Sequence, residues 1–217
     1  MFWIKGIPMF GYLPISKINK KVDPEPLLNE FNNILESNLT AVNKKLEVWK
    51  GVTVFEKGKL NRLDQLPELK KLVDSFGLEN VLMINFYNLA KNSHQHPHRD
   101  MYGNSLLNVT RVHIPLQTNP KSFLEVEKNR YHLGLGEFWM LDTSGTHAAI
   151  NEGNEDRIHL VIDLKYSPDT KQYFPKKSIN QKFHLAYFSM ILGCKLIRDI
   201  FKQPTSIINR VRQANRF

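Results

Sequence analysis

The chain has 217 residues, which is enough for one large β domain or for one domain with helical additions. Hydrophobic residues make up 41% and charged residues 24% of the chain, a balance that is typical of a globular protein and argues against disorder. The net charge of +9 would permit nucleic acid or an acidic partner, but no aromatic and basic recognition motif accompanies it, so we do not expect nucleic-acid binding.

The N-terminal part of the chain predicts an arm, two helices and two strand regions. Residues 1–22 mix prolines and glycines with large apolar residues, which favours an extended or irregular arm. Apolar residues recur at helical spacing over residues 27–35 and again over residues 63–76, and we expect the first of these helices to cover a sheet. The alternating residues 46–58 predict a strand or a strand pair, and the short apolar run 81–87 predicts another strand before a polar loop.

Strand signals dominate between residues 94 and 165. The clearest strand is the apolar run 157–165, which is bounded by polar turn residues and by Pro168. Several short strands separated by polar turns are typical of a sandwich or a barrel, so we expect a mainly β fold with flanking helices. The other strands predicted here are residues 109–116, 123–127, 130–133 and 136–141.

The C-terminal part predicts a linker and a helix. Residues 166–178 carry the linker signals, and apolar residues then follow helical spacing over residues 183–201, before Pro204 stops the helix. We therefore divide the chain into a β domain with N-terminal helices, residues 1–167, and a C-terminal helical extension packed on or beside it, residues 168–217. We interpret this extension as a packing helix with a solvated basic end, and a partner-binding helix is the alternative. The basic end carries Arg210, Arg212 and Arg216.

The cysteine content and the apolar segments bear on the compartment. Cys194 is the only cysteine, so no intrachain disulfide can form, which fits a reducing compartment. The N-terminus lacks the basic and then long apolar pattern of a secretory signal, and the most apolar late segment, 185–197, is too short to span a membrane. We expect a cytoplasmic protein that does not enter a membrane.

The motif that organises the chain is His98-Arg99-Asp100. Side chains two positions apart on an extended strand point to the same side, so His98 and Asp100 can reach one ion together. With a second imidazole from another strand, for which His147 is the candidate, they form the two-histidine, one-carboxylate face of non-haem iron(II) oxygenases. His94, His96 and His98 also alternate, and a histidine cluster of that kind would suit zinc or copper; we prefer the mixed set because it suits iron.

Three further residues predict a binding site for an anion near this motif. Arg157 stands at the start of the apolar strand, where a buried guanidinium needs an anion, because an unpaired buried charge costs several kcal/mol. A dicarboxylate cosubstrate would supply that anion, since the guanidinium fork binds a carboxylate in bidentate fashion. Arg111 and His113 form another pair two positions apart, and they could face the same cavity and touch the metal-side carboxylate or the substrate.

These residues together resemble the aspartyl/asparaginyl β-hydroxylase family of iron(II)/2-oxoglutarate oxygenases, which includes free-proline cis-hydroxylases. The resemblance covers roughly residues 80–165, and its specific features are the order of the motifs and the spacing from the last histidine to the arginine. The matching motifs are His96-Pro97-His98-Arg99-Asp100, Arg111-Val112-His113-Ile114-Pro115-Leu116, residues 136–142, residues 145–147 and residues 157–163.

The resemblance implies a fold and a set of roles. The fold would be a double-stranded β-helix, a jelly-roll or cupin-like barrel with the metal inside its mouth. Arg157 would bind the far carboxylate of 2-oxoglutarate, and Arg111 and His113 fall on the family's Arg-x-His, which helps to hold the cosubstrate. One branch of the family lacks the metal carboxylate, and the presence of Asp100 places this chain with the branch that has the full set. The metal positions would be those of His98, Asp100 and His147.

The expected function is therefore that of a dioxygenase using Fe(II), 2-oxoglutarate and O₂ to hydroxylate an amino acid or a peptide. The alternative is a jelly-roll domain that binds a metal or a ligand without turnover; such a domain would have no need for Arg157. The sequence leaves the substrate and the oligomeric state open. It also leaves open which cation would bind a substrate carboxylate, the candidates being Arg99, Lys121 and Arg130.

Overall fold

The chain divides into two compact units. One is Leu13–Lys176, and the other combines Met1–Tyr12 with Lys177–Phe217. The sequence-based division between residues 167 and 168 stays a prediction. The computed structural model describes residues 12–36, 49–100, 103–175 and 178–202.

The larger unit is built mainly of short strands, as the turn-rich sequence predicts. Two α-helices accompany the strands, α1 over Pro24–Glu36 and α2 over Pro67–Asp74. The strands in the described residues are β1 Ile15–Lys21, β2 Trp49–Glu56, β3 Leu60–Asn61, β4 Val81–Leu89, β5 Ser93–His94, β6 Val109–Gln117, β7 Ser122–Val126, β8 Asn129–Tyr131, β9 Glu137–Leu141, β10 His147–Asn151 and β11 Arg157–Lys165.

The strands form two antiparallel sheets. The larger sheet has seven strands in the order β1-β9-β6-β11-β4-β2-β3, and the smaller has four in the order β5-β10-β7-β8. Every recorded strand pair is antiparallel. The predicted mainly β fold is confirmed. Among the described strands the two sheets do not close into a barrel, because no strand of one sheet pairs with a strand of the other.

Strand β11 explains how the core and the cavity are separated. Alternate side chains of a strand point to opposite faces of the sheet. On one face Ile158, Leu160 and Ile162 lie in the main apolar core. On the other face Arg157 and His159 line a cavity to which residues of both sheets contribute. Because both faces are buried, the strand appears in the sequence as one continuous apolar run.

The two helices cover the core face of the larger sheet. Apolar residues of α1 and α2 share one buried cluster with the sheet, and the rings of Phe31 and Phe86 stack at a centroid distance of 5.1 Å. Each fully buried aliphatic or aromatic side chain of this kind contributes about 1.5–3 kcal/mol. The prediction of a sheet-covering helix is thereby confirmed, and the opposite face of the sheet is left for the cavity.

Two segments differ from their sequence-based prediction. Ile15–Lys21, expected within an irregular or extended arm, forms edge strand β1 and pairs with β9. Ser93–His94, expected near a polar loop, forms the short strand β5 beside β10. Both segments are strands because a partner far along the chain binds their backbone, which local composition does not show. The start of the arm, residues 1–11, and residues 46–48 lie outside the described residues.

The smaller unit contains helix α3, Ile179–Lys202, which includes the predicted helical residues 183–201. The ring of His184 is buried and lies 5.4 Å from that of Tyr12. Phe183 and Met190 are more than half exposed on this helix. No helix in the part of the chain that the structure describes is long and apolar enough to cross a membrane. The predictions for Pro204 and for the basic end concern residues outside that part.

Candidate active site

Two histidines and one aspartate converge at the end of the cavity. His98 and His147 pair as an isolated antiparallel bridge, and each backbone N–H donates to the other residue's carbonyl at 2.9 Å. This pairing sets the two imidazole rings side by side, with centroids 4.4 Å apart. The Asp100 carboxylate completes the group, with Oδ1 3.6 Å from His98 Nε2 and Oδ2 3.8 Å from His147 Nε2. The ligand atoms of all three lie within 4.8 Å of one another, so they could hold one metal ion.

The tautomers of both histidines suit metal binding. Nδ1 of His98 lies 2.9 Å from the carbonyl oxygen of His96, and Nδ1 of His147 lies 3.0 Å from that of Gly145. Each carbonyl can only accept, so each Nδ1 carries the proton and each Nε2 presents a lone pair. The backbone therefore turns both Nε2 atoms towards the Asp100 carboxylate.

The protonation states of this group also favour a cation. Burial lowers the pKa of His147 to about 4, so the ring is neutral near pH 7. Burial alone would raise the pKa of Asp100, but the charge and the hydrogen bond of the Arg111 guanidinium hold it below its ordinary value. The Asp100 carboxylate is therefore ionised and the His147 ring is neutral. Neither group has to lose a proton before it can bind a metal ion.

Arg157 is a buried cation without a carboxylate partner. Its side chain is 2% exposed, and its Nη2 donates to Nδ1 of His159 at 3.1 Å. Among the described residues no carboxylate forms an ion pair with it. Burial lowers the pKa of Arg157 to about 9, which reflects the cost of holding this charge away from water. An anionic ligand in the cavity would offset that cost.

Arg111, in contrast to Arg157, is a buried cation that protein carboxylates neutralise. Nε and Nη2 donate to the two oxygens of Asp163 at 2.8 and 2.9 Å, and Nη1 donates to Oδ2 of Asp100 at 2.5 Å. Arg111 and Asp163 face each other directly across strands β6 and β11. Burial alone would lower the pKa of Arg111, but the two carboxylates raise it above its ordinary value. The expected contact of Arg111 with a cosubstrate stays a prediction.

Two neutral histidines stand near the cations. Both ring nitrogens of His113 are buried and have no hydrogen-bond partner among the described residues, and the same holds for Nε2 of His159. Burial first, and then the nearby arginines, lower both pKa values well below the ordinary value. Unpartnered buried polar atoms are costly, so these nitrogens are suited to a polar ligand.

The cavity that these groups share has a volume of about 240 Å³. Part of its wall is aromatic, because the rings of Trp49 and Tyr87 line it and stack with centroids 5.1 Å apart. Gly51 lies directly opposite Tyr87 in the sheet, and a Cβ at Gly51 would lie 2.8 Å from the Tyr87 ring. The lining residues are Trp49, Gly51, Tyr87, Gln95, His98, Asp100, Arg111, His113, Leu124, His147, Ala149, Arg157, His159 and Val161.

Arg99, which lies between His98 and Asp100 in the sequence, binds groups of the protein itself. Arg99 donates to the carbonyl of Ser144 and, at 3.1 Å, to Oε1 of Glu127. The same Glu127 oxygen accepts from the backbone N–H of Thr146 at 2.6 Å. This contact, which we call the Glu127 clamp, ties the segment that carries His98 to the loop before the second histidine.

The other candidates for a substrate carboxylate lie elsewhere. Arg130 contacts Glu152 at 3.0 Å and does not line the cavity, and Lys121 is exposed. His94 and His96 are also exposed, with ring centroids 5.6 Å apart, and they do not line the cavity either.

The comparison with known proteins assigns the family. The family model described as aspartyl/asparaginyl beta-hydroxylase matches residues 21–167. The chain belongs to the aspartyl/asparaginyl β-hydroxylase family. The resemblance inferred from the motifs is thereby confirmed, and the match extends well beyond them, to both sheets and both helices of the larger unit.

Curated relatives of this hydroxylase-family chain include two proline hydroxylases. L-proline cis-4-hydroxylase of Rhizobium meliloti is 34% identical over 101 residues, which are 46% of this chain and 36% of that protein. L-proline cis-3-hydroxylase 1 of a Streptomyces species is 29% identical over 121 residues, which are 54% of this chain and 41% of that protein. Each match thus spans less than half of the relative's own length.

Solved structures show the same fold at low sequence identity. A 2OG-Fe(II) oxygenase family oxidoreductase from Burkholderia pseudomallei superposes with a TM-score of 0.50 at 14% identity and covers 70% of this chain and 85% of its own. The epimerase SnoN of nogalamycin biosynthesis gives a TM-score of 0.53 at 12% identity, with coverage of 72% and 79%. These likenesses confirm the predicted jelly-roll fold of this family member.

Sequence reasoning missed Asp163 and the aromatic part of the cavity. From the sequence alone Asp163 has no predicted role at the site, yet Asp163 shares one face of β11 with Arg157, six positions earlier, as the alternation of side chains along a strand indicates. Trp49 and Tyr87 lie on strands β2 and β4, which are far apart in the sequence. No local pattern predicts that these strands pair, so only the sheet register brings the two rings together.

Proposed function

We propose that this chain is an iron(II)- and 2-oxoglutarate-dependent dioxygenase that hydroxylates a C–H bond of an amino acid or amino-acid residue, with succinate and carbon dioxide as co-products. One observation carries the proposal: a single cavity contains the convergent group His98, Asp100 and His147 together with the buried Arg157, which no carboxylate of the described residues neutralises. A metal-binding domain without turnover needs the first feature but not the second.

The donor set fits ferrous iron. Two imidazole nitrogens and one carboxylate form a facial triad that leaves positions open for other ligands, whereas all-histidine or thiolate sets suit other metals. His98, His147 and Asp100 would hold the iron through their Nε2 atoms and a carboxylate oxygen. When bound, iron and 2-oxoglutarate supply the oxygen activation that turns a C–H bond into C–OH.

The chain's own residues fit 2-oxoglutarate. The keto-diacid has one carboxylate beside its keto group, suited to a metal, and a distant one, which Arg157 would bind through its guanidinium fork. The unpartnered nitrogens of His113 and His159 can donate to or accept from the same ligand. These groups hold the cosubstrate in one orientation and exclude water around it, which is the protein's main contribution in cofactor chemistry of this kind.

The cavity supports a small substrate. Its volume of about 240 Å³ is below the range of about 300–1,000 Å³ that is usual for drug-sized ligands. The curated relatives are named as hydroxylases of L-proline, which is a small free amino acid. L-Proline is therefore the first substrate to test, and other free amino acids and short peptides follow.

The test is a turnover assay with the full chain, in which both products are measured. Purified protein with iron(II), 2-oxoglutarate and oxygen is incubated with a panel of amino acids, and succinate and the mass of the amino acid are measured. We expect succinate to form together with one substrate that gains one oxygen atom. His147→Ala should abolish both products, whereas His94→Ala, which alters an exposed histidine outside the cavity, should not. A wild-type protein that binds the metal but neither binds nor converts 2-oxoglutarate would support the non-catalytic alternative.

A further inference from the structure

A continuous chain of charged groups connects strand β11 to the candidate metal site. Asp163 binds Arg111 through two hydrogen bonds of 2.8 and 2.9 Å, and Arg111 binds Oδ2 of Asp100 at 2.5 Å. We propose that Asp163 and Arg111 are positioning residues, which orient the Asp100 carboxylate for the metal. This inference rests on the proposed metal site.

The guanidinium of Arg111 is held on several sides. Its fork faces Asp163 in bidentate geometry, which fixes the plane of the group as well as its position. The backbone of Gly103 covers it, because a Cβ there would lie 3.3 Å from both Nε and Nη2 of Arg111. Gly103 has a φ of +76°, a conformation that residues with a Cβ rarely adopt. The arginine therefore presents Nη1 to Asp100 from a fixed direction.

A fixed arginine selects one oxygen of the aspartate. Oδ2 of Asp100 accepts the charge-assisted hydrogen bond, while Oδ1 lies 3.6 Å from Nε2 of His98 without a hydrogen bond to it. Holding Oδ2 near Nε2 of His147 leaves Oδ1 near Nε2 of His98, so the ligand face is formed before any ion arrives. Partners that orient metal ligands in this way typically affect metal affinity by about 10- to 100-fold.

The charges of Asp100, Arg111 and Asp163 also affect the binding of a cation. Arg111 contributes one positive charge, and Asp100 and Asp163 contribute one negative charge each, so the group has a net charge of about −1 at neutral pH. Without Asp163 the group would be neutral, and the guanidinium beside the site would oppose a divalent ion. Asp163 thus acts both by fixing Arg111 and by offsetting its charge.

The two arginines of the cavity therefore have different roles. Arg157 pairs with no carboxylate of the described residues and is suited to a ligand. Arg111 already donates through three nitrogens to two protein carboxylates. A ligand carboxylate at Arg111 would have to displace one of these bonds, which are partly or fully shielded from water.

The test measures Co(II) binding to the full chain, without cosubstrate or substrate. The variants are Asp163→Asn, Arg111→Gln and the double variant, and the matched control is Asp156→Asn. Asp156 is a carboxylate before the same strand that accepts hydrogen bonds from Asn88 and from the Lys91 backbone, away from the metal group. Co(II) affinity is measured by calorimetry, and the visible absorption spectrum of bound Co(II) reports its coordination.

We expect Asp163→Asn to weaken Co(II) binding by about 10- to 100-fold and to change the Co(II) spectrum, while Asp156→Asn does neither. In the Arg111→Gln background, the same Asp163 change should have a smaller effect, because Asp163 then has no arginine to fix and only its charge still acts on the ion. If Asp163→Asn does not fold, Arg111→Lys serves in its place, since a single ammonium group cannot form the same fork.

Three results would overturn the inference. They are an unchanged Co(II) affinity and spectrum in Asp163→Asn, an equal loss in the control, and an equal effect of the Asp163 change with and without Arg111. A wild-type chain that binds no Co(II) would instead overturn the metal site itself, and the proposed function with it. Failure of the inference is therefore distinguishable from failure of the function.

Discussion

The most informative perturbation is Arg157→Met, because it should change stability and ligand binding in opposite directions. Arg157 is 2% exposed and has no carboxylate partner among the described residues. Methionine has a similar length and no charge, so the substitution removes an uncompensated buried charge while largely keeping the packing. Replacing buried charges by apolar groups of similar volume is often neutral or stabilising by about 1–4 kcal/mol. His159 loses one hydrogen bond, which costs about 1 kcal/mol.

We therefore expect the ligand-free variant to be as stable as the wild type or more stable. For a chain of this size each kcal/mol shifts the melting temperature by about 2–4 °C, so a net gain of about 2 kcal/mol corresponds to a rise of about 4–8 °C.

The effect on 2-oxoglutarate should be large and unfavourable. Removing one partner of a buried charge pair costs about 2–5 kcal/mol of binding free energy, because the other charge is left unpaired. At about 1.4 kcal/mol for each factor of ten, the affinity should fall by about 30- to 4,000-fold. Differential scanning calorimetry of the ligand-free protein and calorimetric titration of 2-oxoglutarate into the metal-loaded protein measure the two effects.

Arg130→Met is the matched control, since Arg130 is a half-exposed arginine paired with Glu152 outside the cavity. It should leave 2-oxoglutarate affinity unchanged. An Arg157→Met variant that loses several kcal/mol of stability and still binds 2-oxoglutarate as tightly as the wild type would refute the reasoning, because Arg157 would then be a structural residue.

Three further predictions concern positions around the cavity. Gly51→Ala places a Cβ 2.8 Å from the Tyr87 ring; the ring must move, so KM for the amino-acid substrate should rise at least several-fold while calorimetry shows unchanged metal affinity. Gly136→Ala places a Cβ against the carbonyl oxygen of Val22, at a position with a φ of +69°; urea denaturation should show a loss of at least about 1–3 kcal/mol of stability, and an unchanged midpoint would contradict this. Glu127→Gln breaks the charged contact of the Glu127 clamp, so Co(II) affinity should fall, whereas equal affinity would show that the loop needs no such support.

The sequence predicted the site well where its signal was local. The i, i+2 spacing of His98 and Asp100 and the apolar run after Arg157 each depend on a single stretch of chain, and the structure brings these residues to one cavity. Their roles as metal and cosubstrate ligands remain predictions. The helices and most strands were predicted for the same reason, since periodicity is a property of a short window.

The remaining features depend on register between distant strands. Arg111 faces Asp163 because β6 and β11 pair at that position, and a shift of either strand by one residue would turn its side chain to the other face of the sheet and separate the pair. The edge position of β1 likewise follows from its pairing with β9. No local pattern encodes such a choice, so the partners of Arg111 could not be read from the sequence.

The backbone bridge between His98 and His147 has a consequence for how the protein can be handled. The two histidines are the opposing partners of one isolated backbone bridge, so forming that bridge already sets the spacing of their imidazoles. A metal ion would then bind to ligands that are already in place, in contrast to small domains that fold only when the metal binds. The protein should therefore survive chelation, keep its circular dichroism spectrum as an apoprotein, and accept redox-inert substitutes for iron when it is reconstituted.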